Sequence, residues 1–379
     1  MKSIVYPKMN TWKRPSDWID VPYPQEDEIY ALFFVDEYTK KVGFLVEGDF
    51  VVDWGDGNIV KYKSGSNVSH TYDFASLDAP LNNKGQKQVI IKIYPQTGSH
   101  ITKFSAWNAL DSLISVKLNL PYCNIITDAF RQHHNLQEVY VYNLPDNVDL
   151  SRFTKHLPMM HYIYINPDIK IGKYWATFSY GAYKTLKVDI SNSRTIGYCF
   201  ADADMNELII INKSNSPKIF SGGFLNVRCQ NFKLVGNKIK LADNQPINNF
   251  FYNVKNPDFI NAIDNLDTVK PSTLISSFNF CHPLYELELD LEYATNCTRM
   301  IYKCLNLKKL TLKNIPKIDI DIENTALPRE ELVKLFNALP DASGDSTSPT
   351  LTITGCRGVP DLTDDDKTIA TNKNWTLVT

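Results

Sequence analysis

The sequence predicts a β-rich α+β chain with a small N-terminal β-sandwich, a parallel-strand solenoid and a C-terminal capping segment. Three observations carry that prediction. Short β-branched and aromatic runs separated by polar turns fill Glu28 to about Pro95. From Ile101 onward, apolar triplets recur every 20–25 residues. Aromatic residues make up 12% of the chain, with 20 Tyr and 19 Phe, which favours strands and stacked repeats over coiled coil. With 379 residues the chain has room for several units. The boundaries read as 1–28, 29–100, 101–326 with an insertion near 241–280, and 327–379.

Residues 1–28 hold Trp12, Pro15, Trp18, Pro22 and Pro24. That density of proline forbids a long helix and predicts an extended arm, with Trp12 and Trp18 as docking anchors. Strands are expected at Ile29–Val35, Val42–Glu47, Phe50–Trp54, Ile59–Tyr62 and Val89–Tyr94. Asp53-Trp54-Gly55-Asp56-Gly57 lies between two of them, and glycine supplies the positive φ that a tight hairpin needs. Together, Val52-Asp-Trp-Gly-Asp-Gly57 and His70-x-Tyr72 resemble the signature of polycystic-kidney-disease-like (PKD-like) β-sandwich domains over roughly residues 29–95.

The repeat has the frame L-x-x-L-x-L. It reads Leu113/Val116/Leu118, Leu136/Val139/Val141, Met160/Ile163/Ile165, Thr185/Val188/Ile190 and Met205/Leu208/Ile210. It continues as Cys229/Phe232/Leu234, Leu284/Leu287/Leu289 and Leu307/Leu310/Leu312. One such unit cannot bury its own apolar side, so successive units stack and their strands pair in parallel. The period and frame predict a leucine-rich-repeat-like solenoid. Phe130, Phe200, Phe278 and Tyr302 precede strand anchors, and Cys281 and Cys304 sit three residues before theirs. This aromatic–Cys–Leu spacing resembles the BspA-type leucine-rich repeat, in which the return segment packs into the core. Residues 241–280, broken by Asn-Pro and Lys-Pro, predict an inserted loop or helix.

Toward the C-terminus, Leu332, Leu335, Phe336 and Leu339 make a helical face opened by Pro328. Leu351–Ile353 and Asn374–Val378 read as strands. Thr363-Asp-Asp-Asp366 reads as a capping box that starts a last helix. The polar segment Asp341–Pro349 reads as a mobile linker.

Composition excludes several functions. A formal net charge of −2 gives no pull toward nucleic acid. Pro7, Lys8 and Asn10 interrupt any secretory apolar run, and no stretch approaches a membrane span, so the chain is expected to be made and kept in the cytoplasm. Seven cysteines without a C-x-x-C pair predict buried thiols and no zinc site. No nucleophile elbow, P-loop or H-E-x-x-H occurs, so no enzyme, cofactor or catalytic residue is expected.

The order of modules, from Trp12-Lys-Arg-Pro-Ser-Asp-Trp18 to Leu351-Thr-Ile-Thr-Gly-Cys-Arg-Gly358, resembles structural and tail-associated proteins of tailed bacteriophages, the crAss-like kind among them. The resemblance implies a virion protein, whether tail fibre, tail-associated or capsid-decorating. Its partners would be other virion proteins and a host surface glycan or protein, in a homo-oligomeric or multicopy assembly without membrane insertion. The BspA likeness implies the neighbouring reading of a bacterial surface adhesin. A polysaccharide depolymerase is the third reading.

Among individual residues, Asp53 and Asp56 shape the hairpin and are too few for calcium or for a glycosidase pair across a cleft. His70 and Tyr72 are expected to close the sheet against Trp54. His133 and His134 are adjacent, point apart and are read as a turn. The candidate binding face is Tyr140, Tyr142, Tyr162 and Tyr164. They alternate with Val139, Val141, Ile163 and Ile165, so they lie opposite the core on neighbouring strands. A binding surface, a structural ladder and an oligomer contact all fit that placement.

Overall fold

A computed structural model describes residues 13–106, 112–166 and 168–379. The chain is β-rich with few helices and contains a β-solenoid of parallel strands with about 11 turns. It divides into two compact units. The first is Met1–Ser193 with Asp202–Lys213 and Cys229–Val235, and the second is Arg194–Ala201 with Ser214–Arg228 and Gly236–Thr379.

In the first unit, strands run β1 (Glu28–Val35), β2 (Lys41–Glu47), β3 (Phe50–Asp53), β4 (Ile59–Tyr62) and β5 (Ser66–Thr71). Next come β6 (Lys87–Pro95), β7 (Lys103–Ser105), β8 (Leu113–Asn119), β9 (Glu138–Asn143) and β10 (Val148–Asp149). Then follow β11 (Tyr162–Ile165), β12 (Ile171–Lys173), β13 (Ala182–Asp189), β14 (Asp204–Asn212) and β15 (Arg228–Gly236). Five of these match the strands expected between 29 and 95. β5 lies outside the expected set because Ser66–Thr71 lacks an apolar alternation.

A three-stranded sheet, β5-β2-β7, lies beside a seven-stranded one, β11-β9-β8-β1-β6-β3-β4. Phe44 links them, its ring 5.8 Å from Phe33, 6.1 Å from Trp54 and 5.9 Å from Phe104. The larger sheet changes character at β8, which pairs antiparallel with β1 and parallel with β9. The solenoid strands therefore continue the N-terminal sheet, and no break falls at the expected boundary near residue 100. Without β8, the edge of β1 would be an open template for pairing.

Register confirms the repeat frame and corrects one member. Val139 and Val141 sit opposite Ile163 and Ile165. In the next sheet Tyr183, Leu186 and Val188 pair with Met205, Leu208 and Ile210. The repeat anchor is thus Tyr183, two residues before the expected Thr185. Tyr183 is buried and Thr185 exposed. A tyrosine takes the leucine position because its ring fills the interior while its hydroxyl donates to the Phe178 carbonyl at 3.2 Å. Cys229, Phe232 and Leu234 of β15, which ends its sheet, are only half-buried.

The return segments between the strands are regular. Each carries two left-handed residues four apart, as at Asp128/Gln132 and Arg152/His156 in the first unit and Asn249/Asn253 and Ser276/Phe280 in the second. Amides there donate to the following turn of the solenoid. Asp128 bonds to Ser151 at 3.1 Å, Phe130 to Phe153 at 3.0 Å and Gln132 to Lys155 at 3.1 Å. These bonds satisfy backbone groups that a buried irregular loop would leave orphaned. Phenylalanines stack inside the same corner. Ring centres lie 5.1 Å apart for Phe130–Phe153 in the first unit, and 6.1 Å for Phe224–Phe251 and 5.8 Å for Phe251–Phe278 in the second.

In the second unit the irregular stretch 241–280 contains the short helix α1 (Asp258–Asn261), whose Phe259 lies 4.6 Å from Phe224. Strands β16 (Glu286–Asp290), β17 (Cys297–Tyr302), β18 (Lys309–Lys313) and β19 (Ile320–Glu323) follow, then helix α2 (Arg329–Ala338) and strand β20 (Thr350–Thr352). Helix α3 (Asp364–Thr371) and β21 (Thr376–Val378) complete it. Thr363 and Asp366 form the expected capping box. Arg329 grips Asp366 with two bonds of 2.7 and 2.8 Å, tying α2 to α3. The segment expected to be a mobile linker is tied at Ala342, which is buried and donates to the Lys373 carbonyl at 2.9 Å. Among the described residues no helix is long and apolar enough to cross a membrane.

Candidate binding face

The outward face of the seven-stranded sheet has a simple grammar. On β1, Ile29, Ala31 and Phe33 point inward, while Tyr30, Leu32 and Phe34 belong to the other face. Register carries that outer row from strand to strand: Lys92 pairs with Tyr30, Tyr30 with Lys117, Lys117 with Tyr140, and Tyr140 with Tyr164. The four candidate tyrosines are therefore brought together. Ring centres are 5.1 Å apart for Tyr140–Tyr162, 5.8 Å for Tyr142–Tyr164 and 6.3 Å for Tyr140–Tyr142. Beneath them, Val139, Val141 and Ile163 are buried.

The arm adds a fifth ring that sequence reasoning missed. Tyr23 lies 4.4 Å from Tyr142. No local pattern in Val21-Pro22-Tyr23-Pro24 signals this; only the fold-back of the arm creates it. Val21 fills a small core with Leu32, Phe34 and Ile114, and Trp18, Ile19, Tyr30 and Ile90 pack against it. Trp18 meets Phe34 edge to face at 5.2 Å, so this candidate docking anchor is engaged by its own chain. Trp12 lies outside the described residues.

Charges on this part of the face are matched. Arg14 reaches the Glu138 carboxylate at 3.3 Å, and Lys92 meets Glu28 at 2.7 Å. The Lys117 ammonium donates to the Val21 carbonyl at 2.6 Å and sits 5.3 Å above the Tyr140 ring. Burial pulls the Lys117 pKa below that of an ordinary lysine, against the pull of Glu138. Burial raises the phenol pKa of Tyr140, Tyr142 and Tyr162. These rings are therefore neutral hydrogen-bonding groups at physiological pH. Tyr162 and Tyr23 offer the most open surface, at 40% and 59% exposure, while Tyr140, Tyr142 and Tyr164 are more covered by one another.

The remaining candidates lie elsewhere. Asp53 and Asp56 accept from the amides of Gly55 and Asn58 at 3.0 Å each, which shapes the hairpin. His70 pairs with Asp56 at 2.6 Å and stacks on Trp54 at 4.9 Å, and the Tyr72 hydroxyl donates to the Trp54 carbonyl at 2.7 Å. Burial opposes the charge on Asp56, yet the Asn58 amide and His70 outweigh it and lower its pKa. His133 is buried against Phe130 whereas His134 is exposed, so the two do not converge. Six of the seven cysteines are buried, and burial raises the thiol pKa of Cys297 and Cys304 to about 12. Among the described residues no three metal-binding side chains converge. Compared with protein-family models, curated proteins and solved structures, the chain matches none.

Proposed function

We propose that this chain is a non-enzymatic binding protein, a virion structural or attachment component that presents the tyrosine face to a glycan or protein. One observation carries the binding role: five tyrosine rings from β9, β11 and the arm share one face, with centres 4.4 to 6.3 Å apart. Aromatic surface held on rigid strands loses little entropy when it is covered, which suits repeated, individually weak contacts. The virion assignment rests on the sequence resemblance. In this reading residues 29–100 are the PKD-like sandwich, a role the Phe33–Phe44–Trp54 packing supports. The solenoid is of the leucine-rich-repeat kind, and α2, α3, β20 and β21 cap it.

The test has two arms. Immunogold labelling of purified particles, with antibody against residues 284–379, should mark tail or capsid. Label on the bacterial envelope with clean particles would favour a bacterial surface adhesin instead. Recombinant chain should bind host cells, and Tyr162→Ala/Tyr164→Ala should abolish binding without loss of β-structure by circular dichroism. Unchanged binding would end the role of this face.

A further inference from the structure

Beyond Tyr162, the face changes sign. The Lys184 amide donates to the His161 carbonyl at 3.3 Å, as the Tyr162 amide does to Gln137 at 3.0 Å. Tyr162 pairs with Glu138, so the same geometry sets Lys184 beside Tyr162. Lys187 borders a small cavity with Ile165 and Asn166, one residue beyond Tyr164. Tyr183, Leu186 and Val188 are buried while Lys184 and Lys187 are exposed, so both lysines share the outward face with the tyrosines.

Lysines on several other strands are paired with carboxylates. On β16 and β18, Glu286 pairs with Lys309 and Glu288 with Lys313. Near β10 and β12, Lys170 and Lys173 pair with Asp146 and Asp149. Lys184 and Lys187 have no ion-pair partner among the described residues. Glu207 on the next strand accepts from Thr185 at 3.3 Å, and Asp189, which borders the same cavity as Lys187, accepts from the Ser191 amide at 2.8 Å. Two ammonium groups without an ion pair therefore lie on β13, Lys184 beside Tyr162 and Lys187 near Tyr164.

We infer that the face takes an anionic polysaccharide, whose sugar rings lie on Tyr162 and its neighbours while its carboxylate or sulfate groups meet Lys184 and Lys187. This rests on the binding role of the tyrosine face and gives it a ligand class. Aromatic rings cover the apolar side of a sugar, and lysine supplies a mobile point charge suited to carboxylate and sulfate alike.

The test is affinity electrophoresis of the full chain in gels containing hyaluronan, dextran sulfate or unmodified dextran, with polyglutamate as competitor. Hyaluronan and dextran sulfate should retard the chain, less so at high salt, and dextran should not. K184Q/K187Q should weaken binding about tenfold and flatten the salt dependence. Equal retardation by dextran, or unchanged salt-sensitive binding by K184Q/K187Q, overturns the anionic class and leaves the tyrosine face standing. Polyglutamate that competes as well as hyaluronan overturns the glycan in favour of an acidic protein. No retardation by any polymer overturns the ligand class, and cell binding that still depends on Tyr162 and Tyr164 would then separate that failure from failure of the face itself.

Discussion

Arg14 and Glu138, 124 positions apart, form an ion pair of 3.3 Å that fastens the N-terminal arm to a solenoid strand. The Glu138 side chain is 3% exposed and that of Arg14 27%, so the carboxylate depends on this cation for compensation. Arg14 also donates to the carbonyls of Trp18 at 3.1 Å and Ile19 at 2.8 Å. Arg14→Ala should therefore cost about 2 kcal/mol, because a buried charge left unpaired is worse than no charge at all. Urea unfolding measures this. A double variant with Glu138→Gln should recover part of the loss, and strictly additive losses would deny the coupling.

Glycine tolerance should differ sharply within one hairpin. Gly57 has φ +92° and open space around the position of a Cβ, so Gly57→Ala should cost about 1 kcal/mol. Gly55 has φ +74°, and a Cβ there would lie 2.4 Å from the Ile90 carbonyl oxygen. Gly55→Ala should cost about 3 kcal/mol, since backbone must move. Equal shifts of the denaturation midpoint would show that the hairpin relaxes away from β6.

Much of this was legible because it is local. An apolar frame repeated along the chain reports which side of a strand is buried, hence the alternation that assembles Tyr140, Tyr142, Tyr162 and Tyr164. A capping box lies within four residues, as Thr363 and Asp366 do. What escaped was either non-local or chemically disguised. The arm's fold-back depends on Arg14 meeting a residue 124 positions away. The anchor at Tyr183 was disguised by a residue that is apolar only along its ring. The left-handed pair at Ala176/Tyr180 involves neither glycine nor asparagine, so nothing in its composition announces it. Lys187 lies outward in either frame of its strand, because a two-residue shift keeps each side chain on its face; that it adjoins the tyrosine strand is set by strand pairing, which is non-local.

Acid should weaken the chain through His161. This side chain is buried just before the tyrosine face, and burial lowers its pKa to about 4. In the unfolded chain an imidazole takes its proton near pH ~6.5. Its folded pKa is depressed, so its contribution to stability is fully present above that value and is lost as pH falls toward about 4. Allowing for partial solvent access, the loss should be about 2 kcal/mol. Urea midpoints of the parent chain and His161→Gln, compared across that window, isolate the effect. Parallel pH profiles would mean that the imidazole is protonated in place.

Phe224 should be the most sensitive position in the stacked corner of the second unit. It is fully buried, and its ring neighbours are Phe200, Phe220, Phe250, Phe251 and Phe259, at 4.6 to 6.2 Å. Phe224→Ala removes a shared partner from all of them and should cost about 3–5 kcal/mol, whereas Phe224→Leu should cost about 1–2 kcal/mol. A solenoid is stabilised by nearest-neighbour interfaces, so the damage should stay local. Amide exchange should accelerate at Phe224 and Asn226, which donate to Phe250 and Tyr252, while Phe130 and Gln132 in the first unit remain protected. A uniform rise in exchange along the chain would instead mean that the two units unfold as one cooperative body, and the corner stack would then report on global stability alone.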